Sequence, residues 1–222
     1  VANPSIMDAL EITDYDTVIW VTSSYLLAYA VPLLLAGRLG DRYGPKNLYL
    51  IGLGVFTAAS LWCGLAGSIE MLIAARVVQG LGAAAPRIVS LALVRDLYQG
   101  REMARITSFA MMIFILVPAV APSIGAVIIH FVGWRGVFGA FVVLAAVGSL
   151  WLGLRQAETL PPASRRPLTP RSFAASAREV LSNRQVQLIT VVITLGFGQM
   201  FALLSSAQQL FVETYRTGDN FP

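Results

Sequence analysis

Residues 37–46 read Gly37-Arg38-Leu39-Gly40-Asp41-Arg42-Tyr43-Gly44-Pro45-Lys46. These ten residues hold three glycines, three cations and one carboxylate. Apolar runs lie on both sides, 17–36 and 47–66. Each run is about 20 residues long, enough at roughly 1.5 Å per residue to cross a hydrocarbon core. A short polar loop between two such runs makes them antiparallel helices, and its cations mark the side of the membrane on which it lies.

The composition agrees. The chain has 222 residues, of which 56% are hydrophobic and 13% charged. Soluble domains are about 25% charged, so this balance points to a membrane protein. The single cysteine, Cys63, lies inside an apolar run, which excludes an internal disulfide and reads as a small core residue. The net charge of +4 does not imply nucleic acid, because the cations alternate with apolar spans and form no single patch. No cleavable signal peptide is visible. The chain opens on Val1, so a natural start upstream of it is expected.

Working outward, residues 1–7 read as the tail of a helix ending at Pro4, followed by a wholly acidic stretch with Asp8, Glu11, Asp14 and Asp16. Beyond the opening pair of runs come spans at 71–94, 106–131, 136–154 and 185–212. Gly67-Ser68 and Gly133-Trp134-Arg135 are tight turns. Residues 155–184 carry six arginines with Pro161, Pro162, Pro167 and Pro170, the composition of a linker, with a surface helix near 173–181. Helices are required, because lipid leaves open backbone unsatisfied and the runs lack the alternation of barrel strands. The expected fold is an all-α membrane protein of about six full spans plus a fragment of an earlier helix.

Orientation follows from the cations. Stretches 37–46, 95–105 and 155–184 hold twelve of the sixteen basic residues. They are expected to be cytoplasmic. The opposite side has only Arg135 and Arg216, with seven of the twelve acids.

Three constellations carry chemistry. In the first, the glycines of 37–46 let two helix ends approach, and Asp41 can accept from donors at a helix start or pair with Arg42 or another helix. An ordinary hairpin would need the cations but no fixed aspartate, so both readings stand at this point. In the second, Arg76, Gly80, Ala83 and Arg87 fall on one helical face, with Gln79 beside them. An arginine inside a span costs about 2.5–3.5 kcal/mol on insertion scales, so it implies a polar cavity or partner, or else snorkelling to the interface. In the third, Pro118 and Pro122, followed by Gly125, read as a kinked helix with a flat face of small residues. That kink is either passive or functional.

Lesser signals are Tyr25 and Tyr29 on one face, Met111, Met112, and Gln199, Gln208 and Gln209 in the last span. Tyr25, Tyr29, Met111 and Gln199 are candidates to line a substrate path, with core packing as the ordinary alternative. His130 reads as an interfacial anchor, and Arg95-Asp96 as an exposed pair worth little. No phosphate-binding loop, metal-ligating cluster or activated nucleophile is present in the sequence, so no cofactor, metal or catalytic residue is expected.

The string Gly37-x-x-x-Asp41-Arg42-x-Gly44-x-Lys46 resembles the signature loop of the major facilitator superfamily, with Pro45 where a basic residue is usual. Arg76-x-x-Gln79-Gly80-x-Gly82 resembles that family's fourth-helix motif, and the run from Val117 to Ala126 its antiporter motif. There, Ala121-Pro122 replaces the usual first Gly-Pro, and Gly125-Ala126 the closing Gly-Gly. From Arg87 onward, including Leu93-Val94-Arg95-Asp96 and Leu160-Pro161-Pro162, the chain is similar to twelve-helix bicyclomycin-resistance antiporters. Residues 1–84 are closer to fourteen-helix multidrug exporters.

The resemblance implies a cytoplasmic gate at Gly37, Asp41, Arg42, Gly44 and Lys46. It ties Arg76, Gln79 and Gly80 to proton coupling, and implies moving helix packing at Pro118, Pro122 and Gly125. It implies residues 1–154 as the N-terminal transporter half, 155–184 as a cytoplasmic linker and 185–222 as the first helix of the second half. The expected activity is proton-coupled efflux of small, mostly apolar or cationic drug-like molecules by alternating access. A facilitator or importer on the same fold, and a truncated protein that transports nothing, are the alternatives. Expected partners are membrane lipid, a small-molecule substrate, protons and the remaining transporter half, with no nucleic acid. The expected location is a bacterial inner membrane. The proton-titrating carboxylate cannot be named, because no acid lies deep in any span.

Overall fold

The computed structural model describes residues 3–12, 15–161, 178 and 182–209. They form seven helices: α1 Asn3–Ala9, α2 Tyr15–Tyr43, α3 Pro45–Gly64, α4 Ile69–Leu97, α5 Gly100–Val132, α6 Trp134–Arg155 and α7 Arg184–Gln209. Helices α2 to α7 stand where the six spans are expected. Among the described residues, α3, α4, α5 and α6 are long and apolar enough to cross a membrane. Helix α2 makes a fifth when its two parts, Thr17–Leu33 and Gly37–Tyr43, are taken as one span bent by 56°. Pro32 lies just before that bend, where its missing donor loosens the backbone ladder.

The helix ends differ from the expected spans. Residues 37–43 are not a loop but the last turns of α2, and Pro45 opens α3. Gly44 alone breaks the two, at φ 90°, a conformation a side chain disfavours. Proline at the first helical position is preset for that role, so the basic stretch is two helix ends and a one-residue turn. Likewise, α4 runs to Leu97 and α5 starts at Gly100, leaving two residues of the expected 95–105 loop outside helix. Pro4 does not end α1, which continues to Ala9. Helix α5 passes unbroken through Pro118 and Pro122. Ser68 caps α4 by accepting from the Met71 amide at 3.2 Å. The expected helix at 173–181 lies outside the described residues except for Arg178.

The chain divides into two compact units, Val1–Pro167 and Leu168–Pro222. In the first, α4 packs against both α2 and α3, and α3 packs on α6, while α5 touches α6 and α4 only lightly. Glycines set these approaches. A Cβ at Gly80 would strike the backbone of Tyr25 and Tyr29 on α2. A Cβ at Gly82 would lie 2.6 Å from the Phe56 nitrogen on α3, and one at Gly52 would lie 2.8 Å from the Gly82 oxygen. Toward one end, Ile6, Val21, Cys63, Leu72, Ala75, Trp134 and Phe138 form a core that draws on α1, α2, α3, α4 and α6. Toward the basic end, Leu48, Ala85, Val89 and Leu93 form a second. Helix α5 buries no residue at all. Helix α7 belongs to the second unit, and its described side chains are exposed apart from the half-buried Val186.

Candidate functional site

A polar knot sits among the apolar side chains of the first core. Arg76 on α4 donates from Nε to the Val21 carbonyl of α2 at 3.0 Å and from a terminal nitrogen to Gln79 Oε1 at 2.6 Å. Gln79, fully buried, donates from Nε2 to Ser60 Oγ of α3 at 2.6 Å. Ser60 in turn donates to the Phe56 carbonyl at 2.7 Å. The Cys63 thiol lies 4.0 Å from Gln79 Oε1. The Arg76 guanidinium also lies over the Tyr25 ring, 4.3 Å from its centroid. Snorkelling does not describe this arginine. Hydrogen bonds to a charged group contribute about 1.5–3 kcal/mol each, and a desolvated cation–π contact about 2. Together they offset the insertion cost named above. The sequence singled out Arg76, Gln79 and Gly80, and the fold brings them together. It did not flag Ser60, whose only signal is a hydroxyl in the apolar run 47–66.

The knot continues as a stripe. Tyr25 stacks on Tyr29 along α2, with centroids 6.1 Å apart and planes 14° apart. Arg87 lies over Phe114 of α5, 5.0 Å from its centroid, and both line a groove of about 330 Å³ between α4 and α5, together with Ser90, Thr107 and Met111. Of the four candidate lining residues, Tyr25, Tyr29 and Met111 fall on or beside this stripe. Gln199 is exposed on α7, in the other unit.

At the basic end, the donors at the start of α3 are not taken by Asp41. The carboxylate of Glu158, just past the end of α6, takes them. It accepts from the Lys46 amide at 3.4 Å and the Asn47 amide at 3.3 Å. Lys46 Nζ donates to the Gly153 carbonyl at 2.9 Å, and Thr159 Oγ1 donates to Asp96 at 3.3 Å. So α3, α4 and the segment after α6 are tied at one point. Asp41 instead lines a cleft of about 590 Å³ with Gly37, Arg38, Arg95 and Asp96, between α2 and α4. Arg42 lies over the ring of Tyr43, 5.5 Å from its centroid. Pro118, Pro122 and Gly125 lie along α5, and a Cβ added at Gly125 would meet no neighbouring helix within 4 Å. His130 rests edge-on against its neighbour Phe131. Gln208 and Gln209 have side chains outside the described residues.

Long apolar helices around a hydrogen-bonded guanidinium, with charge gathered at the helix ends, define a protein of several membrane spans with a polar interior. A family model described as the Major Facilitator Superfamily matches residues 1–218. The chain belongs to that superfamily, a family of membrane transporters.

The chain is 48% identical over 148 residues to the MFS-type transporter Rv1250 of Mycobacterium tuberculosis, covering 67% of this chain and 25% of that protein. It is 35% identical over 212 residues to the transporter YebQ of Escherichia coli, covering 96% and 45%. It is 33% identical over 190 residues to the tetracenomycin C resistance and export protein of Streptomyces glaucescens, covering 85% and 34%. The chain thus spans less than half the length of these relatives.

Proposed function

We propose that these residues are the N-terminal half, to residue 154, a linker at 155–184, and the first helix of the second half of a proton-coupled exporter. It moves small drug-like molecules by alternating access. Its basic end faces the cytoplasm of a bacterial inner membrane. The remaining transporter half packs on α5 and beside the stripe from Arg76 to Arg87. Asp41 and Arg42 latch the cytoplasmic side to that half, and the packing at Pro118, Pro122 and Gly125 changes as the two halves rock. Substrate and proton compete for overlapping polar groups, so each releases the other.

The observation that carries this reading is the Arg76 knot. A guanidinium held inside the bundle by Val21, Gln79 and Tyr25 is a fixed interior charge that can respond to a proton or a substrate nearby. Similarity to a resistance and export protein supports the direction of transport. The test is Arg76→Ala in the full-length transporter, assayed as substrate efflux driven by a pH gradient in vesicles. Efflux should be abolished while the protein still assembles, as judged by gel filtration in detergent. Undiminished proton-linked efflux would overturn the role of Arg76. Counterflow indifferent to pH would favour a facilitator instead.

A further inference from the structure

The stripe has a charge that no side chain on these helices balances. No aspartate or glutamate lies between Asp16 and Asp41, between Glu70 and Asp96, or between Glu102 and Glu158. The interior of α2 to α6 therefore holds two guanidiniums and no carboxylate. Their roles differ. Arg76 is committed to Val21 and Gln79. Arg87 is exposed, lies over the Phe114 ring and shares its groove with Ser90, Thr107 and Met111. The two arginines are eleven positions apart on one helix face, about 16 Å along the axis. Between them lie the stacked rings of Tyr25 and Tyr29. A cationic substrate would meet two like charges from these helices.

The geometry points to a substrate of the opposite kind, a flat aromatic compound carrying a carboxylate or similar anionic group. Its anion meets Arg87, and its ring lies in the groove against Phe114 and Met111. Aromatic faces give such a ring broad contact without fixing its pattern of substituents. The bidentate fork of Arg87 supplies the charged contact. This deepens the exporter reading and rests on it for the direction of movement. It differs from the apolar or cationic cargo that the resemblance implies in the charge the substrate carries.

The test uses a matched pair with one ring system and opposite charge, 1-naphthoate and 1-naphthylmethylammonium, on the full-length transporter in proteoliposomes. Binding is read by quenching of naphthalene fluorescence, and movement by efflux under a pH gradient. Naphthoate should bind at least tenfold more tightly than the ammonium compound. Arg87→Gln should remove that preference, and Arg87→Lys should keep most of it. Equal affinity for the two probes, no binding of either, or a preference unchanged in Arg87→Gln would overturn the anion site. Proton-driven export of the ammonium compound alone would overturn the anion site and leave the exporter reading standing. Naphthoate binding that depends on Arg87, with no movement of either probe, would support the site and count against the exporter.

Discussion

The carboxylate of Glu158 occupies the space that a side chain at Gly44 would fill. The two residues are far apart in sequence, yet each explains the other. Gly44 turns the chain at φ 90° so that the amides of Lys46 and Asn47 face outward, and Glu158 caps them. Gly44→Ala should therefore fail twice, by backbone strain of about 1–3 kcal/mol and by collision with the cap. Glu158→Ala in the same chain should relieve only the collision. Thermal unfolding in detergent should show the double variant less destabilised than the sum of the two single ones.

Glu158→Gln keeps acceptor oxygen at the start of α3 but removes the charge that complements the helix dipole. The loss should be small, about 0.3–1 kcal/mol, whereas Glu158→Ala should lose about 0.5–2. Hydrogen exchange at the Lys46 and Asn47 amides reads this directly. Both should exchange faster in the alanine variant, and protection equal to that of the parent would count against the cap.

In the polar knot, Gln79 is the joint between Arg76 and Ser60. Gln79→Leu leaves a buried guanidinium and a buried hydroxyl short of partners. The expected cost is about 2–6 kcal/mol, from roughly 1–3 for each of the two groups orphaned. Ser60→Ala removes one partner and should cost about 1. If unfolding midpoints rank the two variants the other way, the knot does not have the connectivity described.

Glycines that look alike in sequence should differ sharply in tolerance. Gly80→Val and Gly82→Val drive a side chain into the backbones of α2 and α3, so assembled protein should fall to a small fraction of the parent in membranes. Gly54 has nothing within 4 Å, and Gly54→Ala should leave the yield unchanged or raise stability by about 0.5–1 kcal/mol. Fluorescence-detected gel filtration of tagged variants separates these outcomes.

Cys63 is fully buried against the knot. A membrane-permeant maleimide should leave it unmodified in the folded protein and label it fully after denaturation. Fast labelling in the native state would show that the core around Leu72 and Trp134 opens.

Much of this was legible in the sequence because lipid imposes a simple length rule. The six long helices and the turns at Ser68 and Gly133 follow from apolar runs and their punctuation. Helix ends were less legible. An apolar run marks where a helix meets hydrocarbon, but a helix that has left it keeps its backbone bonds, so α2 continues through Arg38 and Arg42 to Tyr43. Arg76 and Gln79 could be grouped from the sequence because both lie within one turn of α4, but their hydrogen bond could not be read there. Ser60 and Glu158 were not legible, because their partners come from other helices, and nothing local distinguishes a capping glutamate from a solvated one. The order of Arg76, Tyr25, Tyr29 and Arg87 as one stripe needed the register of α2 against α4, which Gly80 sets.

That register has a mechanical side. Gly80 and Gly82, two residues apart on α4, bring the backbones of α2 and α3 against it from different directions at nearly one level. Three helices are thus clamped at a common height, as a wedge. Helix α5, which buries nothing, is outside the wedge. Arg76 and Arg87 therefore stand on opposite sides of that height along α4, one before it and one after it.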